Sequence, residues 1–276
     1  MTLTPLFEAQ YLPHARRKLK PRTVAEYERL ARALVLPKFG ARAVDTITLG
    51  EIEDWHETMV DAPVQANRAL AVLSAILTYA GRRRLVGANA ARGIKRNREV
   101  GREFFYTPEQ TKALLAAASA WDDIRAKYLA LELLTGVRPG ELLDSGPTWR
   151  HGAVLRTLDG KTGARTIFLS DAACAILEAL PRRRDGRYFP PGMSLRRSWE
   201  RLCKLAGVPC ARLYDLRHTF ASNALGAGVP LDVIGRMLGH RKVQTTLRYA
   251  HLDPAVGLEG AAAAAERMGA GLNGTL

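Results

Sequence analysis

Cysteine is scarce in this chain: three in 276 residues, at positions 174, 203 and 210. An odd set without metal-ligand spacing offers neither a disulfide framework nor a zinc site. The three read as reduced packing residues of a cytoplasmic protein. No apolar run reaches the ~18 residues that a membrane-spanning helix needs, and the N-terminus lacks a signal-peptide pattern. There is no Walker-type loop, and no dinucleotide fingerprint set between a strand and a helix, so nothing points to nucleotide-driven work. Acidic residues are also in deficit, with 27 Asp and Glu against 41 Lys and Arg.

What is present follows from that deficit. The net charge is +14 and the pI about 10.1, which calls for a polyanionic partner. Residues 1–105 carry 18 Lys and Arg against 11 Asp and Glu, and residues 106–276 carry 23 against 16. Both parts are therefore basic, as in a protein that grips one polyanion from two sides. With no membrane segment, nucleic acid is favoured over an anionic bilayer. The length exceeds that of most single domains, so two are expected.

Residues 1–102 read as an all-helical domain. Thr23 is placed to cap a helix that Pro37 would stop, and Ile47 to Ile52 leads into a helix through Trp55 and Met59. From Val64 to Ala80, Leu70, Val72, Leu73, Ile76 and Leu77 fall largely on one helical stripe. Arg82, Arg83 and Arg84 follow it. A basic cluster there suits either a solvated helix end, favoured by the helix dipole, or phosphate contact. Lys95, Arg96 and Arg98 strengthen the second reading, and the stretch from about 88 to 102 reads as a basic linker that would follow a phosphate backbone.

The second domain, 103–276, opens on Thr107-Pro108-Glu109-Gln110, a capping box with proline at the first helical position. A helix from about Asp123 ends at Thr135-Gly136, and Arg138 sits in a tight turn before what reads as another helix. Arg138 is either a fixed cation or the structural partner of Glu141. Ala153–Thr157 and Arg165–Leu169 flank DGKTG and form the one convincing β-hairpin. Lys161 lies near its tip, where most lysines only keep an edge soluble. Ser170 caps a further helix, and Ser194 begins another. An Ala- and Gly-rich tail, about 253–276, can form one short helix.

Four segments carry the chemistry: TGVRPGELL, DGKTG, DLRHTFAS and LGHRKVQTTLRYAHL. In this order and these contexts they resemble the tyrosine recombinases, the phage integrase family. The resemblance implies a mainly helical, two-domain DNA clamp: a helical core-binding domain, then a catalytic domain with a small hairpin or sheet. It implies that Arg138 and Arg217 grip the scissile phosphate, and that Lys161 protonates the leaving 5′ oxygen. By the same token Tyr249 attacks phosphorus, and His240 assists proton transfer or holds a phosphate oxygen. Such chemistry needs no metal or other cofactor, because preorganised guanidiniums stabilise the charge that grows on the nonbridging oxygens.

One position departs from the family pattern. Tyr214 stands where the family commonly has His, three residues before Arg217. A phenol there can donate a hydrogen bond to a phosphate oxygen but brings no positive charge. The implied partner is double-stranded DNA with specific recombination sites, held by a homotetramer. Two other readings stay open: a topoisomerase-like nicking and closing enzyme, and a DNA-binding protein without strand transfer. The additional N-terminal arm-binding module of some integrases is expected to be absent.

Overall fold

A computed structural model describes residues 1–101, 104–157, 164–240, 242–247 and 249. The chain forms two compact units, Met1–Arg102 and Glu103–Leu276. It is mainly α-helical, with a small antiparallel sheet of three strands in the second unit. Among the described residues no helix is long and apolar enough to cross a membrane.

The first unit is helical throughout. Leu3 to Lys18 runs on without a break, and a π-helical stretch, Leu6–Tyr11, turns Leu6, Phe7 and Tyr11 inward. The next helix starts at Pro21 rather than Thr23, because proline suits the first helical position where its missing N–H is not needed. It also outlasts Pro37. The helical path passes through a π-helical stretch, Ala31–Val35, into Leu36–Phe39, so Pro37 again occupies a first turn instead of an interior. Thr48 and Glu51 form a reciprocal capping box at the head of Leu49–Glu57. Pro63–Arg82 is the long central helix, burying Leu70, Val72, Leu73, Ile76 and Leu77.

Part of the stretch read as a linker is fastened to this unit by buried polar side chains. Asn67 donates from Nδ2 to the Asn97 carbonyl (2.8 Å) and to Glu99 Oε1 (2.7 Å), and its Oδ1 accepts from the Asn97 N–H (2.9 Å). The buried His56 ring lies 3.1 Å from that same Oδ1. Asn89 donates to Ser74 and Thr78 on the central helix. Lys95, Arg96 and Arg98 are thus carried, exposed, by backbone that is tied down on either side of them.

In the second unit, Thr107 and Gln110 close the expected capping box on Pro108–Ala120. This helix packs with Ile124–Thr135 and Arg196–Ala206 around Tyr106, Leu129, Trp199, Leu202 and Leu216. The strands are β1 (Arg150–His151), β2 (Val154–Thr157) and β3 (Arg165–Phe168). β2 and β3 pair antiparallel with Leu155 opposite Ile167 and Thr157 opposite Arg165. Leu155 and Ile167 point into a second core with Tyr128, Leu131 and Phe189. β1, too short to show alternation, adds an edge that the sequence does not announce. The DGKTG segment, Lys161 and the tail beyond residue 250 lie outside the described residues.

Helices Asp215–Gly226 and Leu231–Leu238 complete the unit, with Ala221, Leu225, Ile234, Leu238 and Tyr249 forming a third apolar cluster. After Val137 the chain makes successive turns over 139–144, not the helix expected there. Gly140 takes φ 94°, which no helix accommodates. Glu141, Leu143 and Ser145 then hydrogen-bond back to residues three earlier.

Candidate active site

The site is assembled where two helices end. Ile124–Thr135 closes on Gly136 at φ 60°, and Leu231–Leu238 closes on Gly239 at φ 66°. Both are left-handed caps of the kind glycine provides without steric cost. Space demands glycine as well. A Cβ on Gly136 would come within 2.5 Å of the Phe220 ring and 2.8 Å of Leu238, and one on Gly239 within 2.7 Å of Arg165.

Helix ends leave carbonyls without partners and carry partial negative charge. Arg217 meets both ends. Its Nη1 donates to the Gly136 carbonyl at 2.8 Å and its Nη2 to the Leu238 carbonyl. The side chain is 1% exposed, the bulkiest of the fully buried ones. Burial first, then the Arg138 and Arg165 charges, lower its pKa to about 10, against opposing pulls from Tyr214 and Glu141. It therefore remains a cation at neutral pH. Its Nε–H is buried with no partner, and among the described residues no carboxylate pairs with it directly.

A carboxylate that offsets its charge is Glu141, which serves two other arginines. It accepts from the Arg138 N–H (3.0 Å) and guanidinium (2.9 Å), and from Arg165 Nη2. Burial pushes its carboxyl up, but Arg165 and the two Arg138 contacts outweigh that and hold it below the usual range. Arg165 also donates to the Met237 carbonyl at 3.3 Å, and its Nε–H is a second buried donor without a partner. Three guanidiniums around one carboxylate leave an excess of positive charge in a partly dry site. Such a site suits a phosphodiester oxygen.

Behind the Arg138 turn lies Glu132, 1% exposed with neither oxygen hydrogen-bonded. Burial raises its pKa to about 8, against the pull of the Tyr128 phenol and the Gly140 N–H. The Tyr128 hydroxyl in turn accepts from the Gly140 N–H at 2.8 Å.

The remaining polar side chains gather from Asp215–Gly226 and the segment after Gly239. His218 Nδ1 is hydrogen-bonded to Tyr249 Oη at 2.8 Å. Tyr214, 43% exposed, sets its ring edge-on to His218 with centroids 5.3 Å apart. Tyr249 is buried at 4% exposure. His240 Nδ1 is bonded to Thr246 Oγ1 at 2.8 Å, and Gly235 makes room for that threonine, since a Cβ there would lie 2.9 Å from its Oγ1.

Of the six residues expected to carry chemistry, Arg138, Arg217 and the backbone leading to His240 converge through the Gly136 and Leu238 carbonyls. Tyr249 and Tyr214 join them through His218, while Lys161 lies outside the described residues. Arg82, Arg83 and Arg84 are exposed in the other unit, with the Arg83 guanidinium over the Tyr79 ring. Sequence reasoning passed over Arg165 and His218. Arg165 looked like any soluble strand end, and His218 like a mere neighbour of Arg217. Among the described residues no group of three His, Cys, Asp or Glu side chains is placed to hold a metal ion.

Comparison with known proteins identifies the family and the fold. The family model for the phage integrase family matches residues 105–255, and that for the phage integrase N-terminal SAM-like domain matches residues 7–60. The chain is 30% identical to the tyrosine recombinase XerC of Pelobacter propionicus over 266 residues, 86% of this chain and 87% of the relative. It is 33% identical to XerC of Corynebacterium efficiens over half of each chain, and 28% identical to the integrase of Escherichia phage P2 over 56% of that protein. Thus it spans only about half the length of some relatives. The fold is that of a lambda integrase dimer bound to a COC′ core site (TM-score 0.73, 18% identity, 89% of this chain and 97% of that one). It is equally that of the Tn1549 transposon integrase in complex with transposon right end DNA (TM-score 0.74, 19% identity, 98% and 100%).

Proposed function

The chain belongs to the phage integrase family of tyrosine recombinases, and from that premise we propose that it is a site-specific DNA recombinase working through a 3′-phosphotyrosine intermediate. One observation carries the reading: a single helix start presents a buried, uncompensated Arg217 and, at the next residue, a histidine bonded to the Tyr249 phenol. Arg217 and Arg138 hold the nonbridging oxygens of the scissile phosphate. The unpartnered Nε–H of Arg217 is a donor in want of an oxygen. Tyr249 attacks phosphorus, Lys161 gives a proton to the departing 5′ oxygen, and His240, steadied by Thr246, assists. Tyr214 donates to a phosphate oxygen. The link keeps the energy of the phosphodiester, so the strands rejoin without an external energy source.

Residues 1–102 form the core-binding domain, with Arg82, Arg83, Arg84, Lys95, Arg96 and Arg98 on DNA phosphates, and residues 103–276 the catalytic domain with its tail from about 253. The working assembly is a homotetramer on two duplexes in the cytoplasm. Support comes from related assemblies: a lambda integrase tetramer of the same fold is bound to a Holliday junction.

The test is covalent capture. Full-length protein is incubated with nicked duplexes of randomised sequence, denatured, and the adducted peptide and DNA are sequenced. The expected product is a 3′-phosphotyrosyl link at Tyr249, lost in Tyr249→Phe while DNA binding persists. No adduct from any duplex, or an adduct that survives Tyr249→Phe, overturns the reading. Joining of ends from two distinct captured duplexes separates a recombinase from a nicking and closing enzyme.

A further inference from the structure

We propose that His218 is a catalytic residue, the proton acceptor for the Tyr249 phenol; this rests on the reading that Tyr249 is the nucleophile. The juxtaposition is direct, with Nδ1 2.8 Å from the phenolic oxygen. It is also built into the fold. His218 rides the first turns of Asp215–Gly226, whose start is pinned by the Arg212 N–H to Asp215 Oδ2 (3.0 Å) and by Arg217 at the two helix ends. Tyr214 packs edge-on against the same imidazole from one turn earlier, and the Tyr249 ring lies at 5.7 Å. Two aromatic neighbours restrict the ring's rotation and hold Nδ1 toward the oxygen.

A phenol is mostly protonated at neutral pH, so attack on phosphorus needs a group to take the proton. The other candidates are placed for different tasks. His240 directs Nδ1 to Thr246 Oγ1. Tyr214 sits with its ring against His218. Arg138, Arg165 and Arg217 are guanidiniums, which carry donors and no acceptor atom.

The phenol donates to the lone pair of neutral His218 Nδ1 while Oη bonds to phosphorus. The bond to the 5′ oxygen breaks, and that oxygen receives a proton from the general acid. The products are a tyrosyl phosphodiester, a free 5′ hydroxyl and a protonated His218. Rejoining runs the same transfers backwards, with His218 returning its proton to the departing phenolic oxygen. Tyr214 in place of the family's His then has a physical meaning: the imidazole that serves the nucleophile stands one helical turn further along.

The experiment uses full-length protein and a nicked duplex recovered by the covalent capture above. Single-turnover cleavage is followed for wild type, His218→Ala and His218→Asn. Asparagine keeps an acceptor atom of similar reach but cannot hold a proton. Both variants are expected to cleave roughly 10²-fold more slowly, with unchanged DNA affinity and thermal transition. Replacing Tyr249 by a difluorotyrosine, whose phenol ionises more readily, should restore most of the rate in the His218→Asn background. Cleavage by His218→Asn at the wild-type rate, or a loss the acidic phenol does not repair, overturns the assignment. If wild type itself forms no adduct, the proposed function falls instead, so the two failures are told apart.

Discussion

Burial strongly disturbs the charge of Glu132. It lies buried behind the turn that presents Arg138, with neither oxygen bonded, and burial raises its pKa from 4.5 to about 8. The folded chain thus keeps this proton well above the pH at which the unfolded chain releases it. Between pH 4.5 and about 8 the folded state binds more protons, so its stability falls as pH rises through that window. The full loss amounts to about 3–5 kcal/mol. Glu132→Gln, neutral at every pH and nearly the same shape, is expected to match wild type near pH 5 and to be more stable by up to that amount at pH 8. Denaturant midpoints at several pH values check this, and a wild-type-minus-variant difference that does not change with pH would refute it. No sequence pattern marks Glu132, since it falls among the apolar positions of a helix whose burial only the packed fold reveals.

At the scale of elements, the structure differs from expectation where polar side chains or glycine override propensity. The stretch read as a basic linker looks unattached by composition, because it is poor in large apolar residues. Asn67 and Asn89 fasten it nonetheless, and an asparagine inside an apolar stripe gives no hint of what it will hold. Asn67→Ala would leave the Asn97 N–H and the buried His56 without their acceptor. The expected cost is about 2–3 kcal/mol, together with faster amide hydrogen exchange around residues 97–99. Exchange there at the wild-type rate would show that the anchor lies elsewhere. The same lesson holds at Gly140, where a positive φ converts the expected helix after Arg138 into turns. Those turns bring Glu141 back onto the Arg138 N–H.

On the scale of the whole molecule the governing quantity is the excess of 14 positive charges, spread over both units. Phosphate contacts release counterions, so DNA binding should weaken steeply with salt. Arg82, Arg83 and Arg84 are exposed at and just beyond the end of the central helix of the first unit. Replacing all three with glutamine should lower the slope of log affinity against log salt by about 2–3, while leaving the strand-cleavage step of bound complexes unchanged. Fluorescence anisotropy across a salt series measures the slope. An unchanged slope would mean that this cluster is only a solvated helix end.

The sequence alone determined the family, the predominance of helix, the capping box at Thr107 and the β2–β3 pairing. Each rests on local chemistry: a cap, a proline, an alternation, or a motif whose spacing the backbone cannot alter. Tertiary structure alone decided which groups meet. Arg165 reaches Glu141 and the Met237 carbonyl from a strand far away in the chain, Arg217 finds two helix ends 81 and 21 residues distant, and His218 reaches a phenol 31 residues on. A side chain's type fixes what it can donate or accept. Its partner depends on how distant helices close on Gly136 and Gly239, and that closure is a property of the packed core.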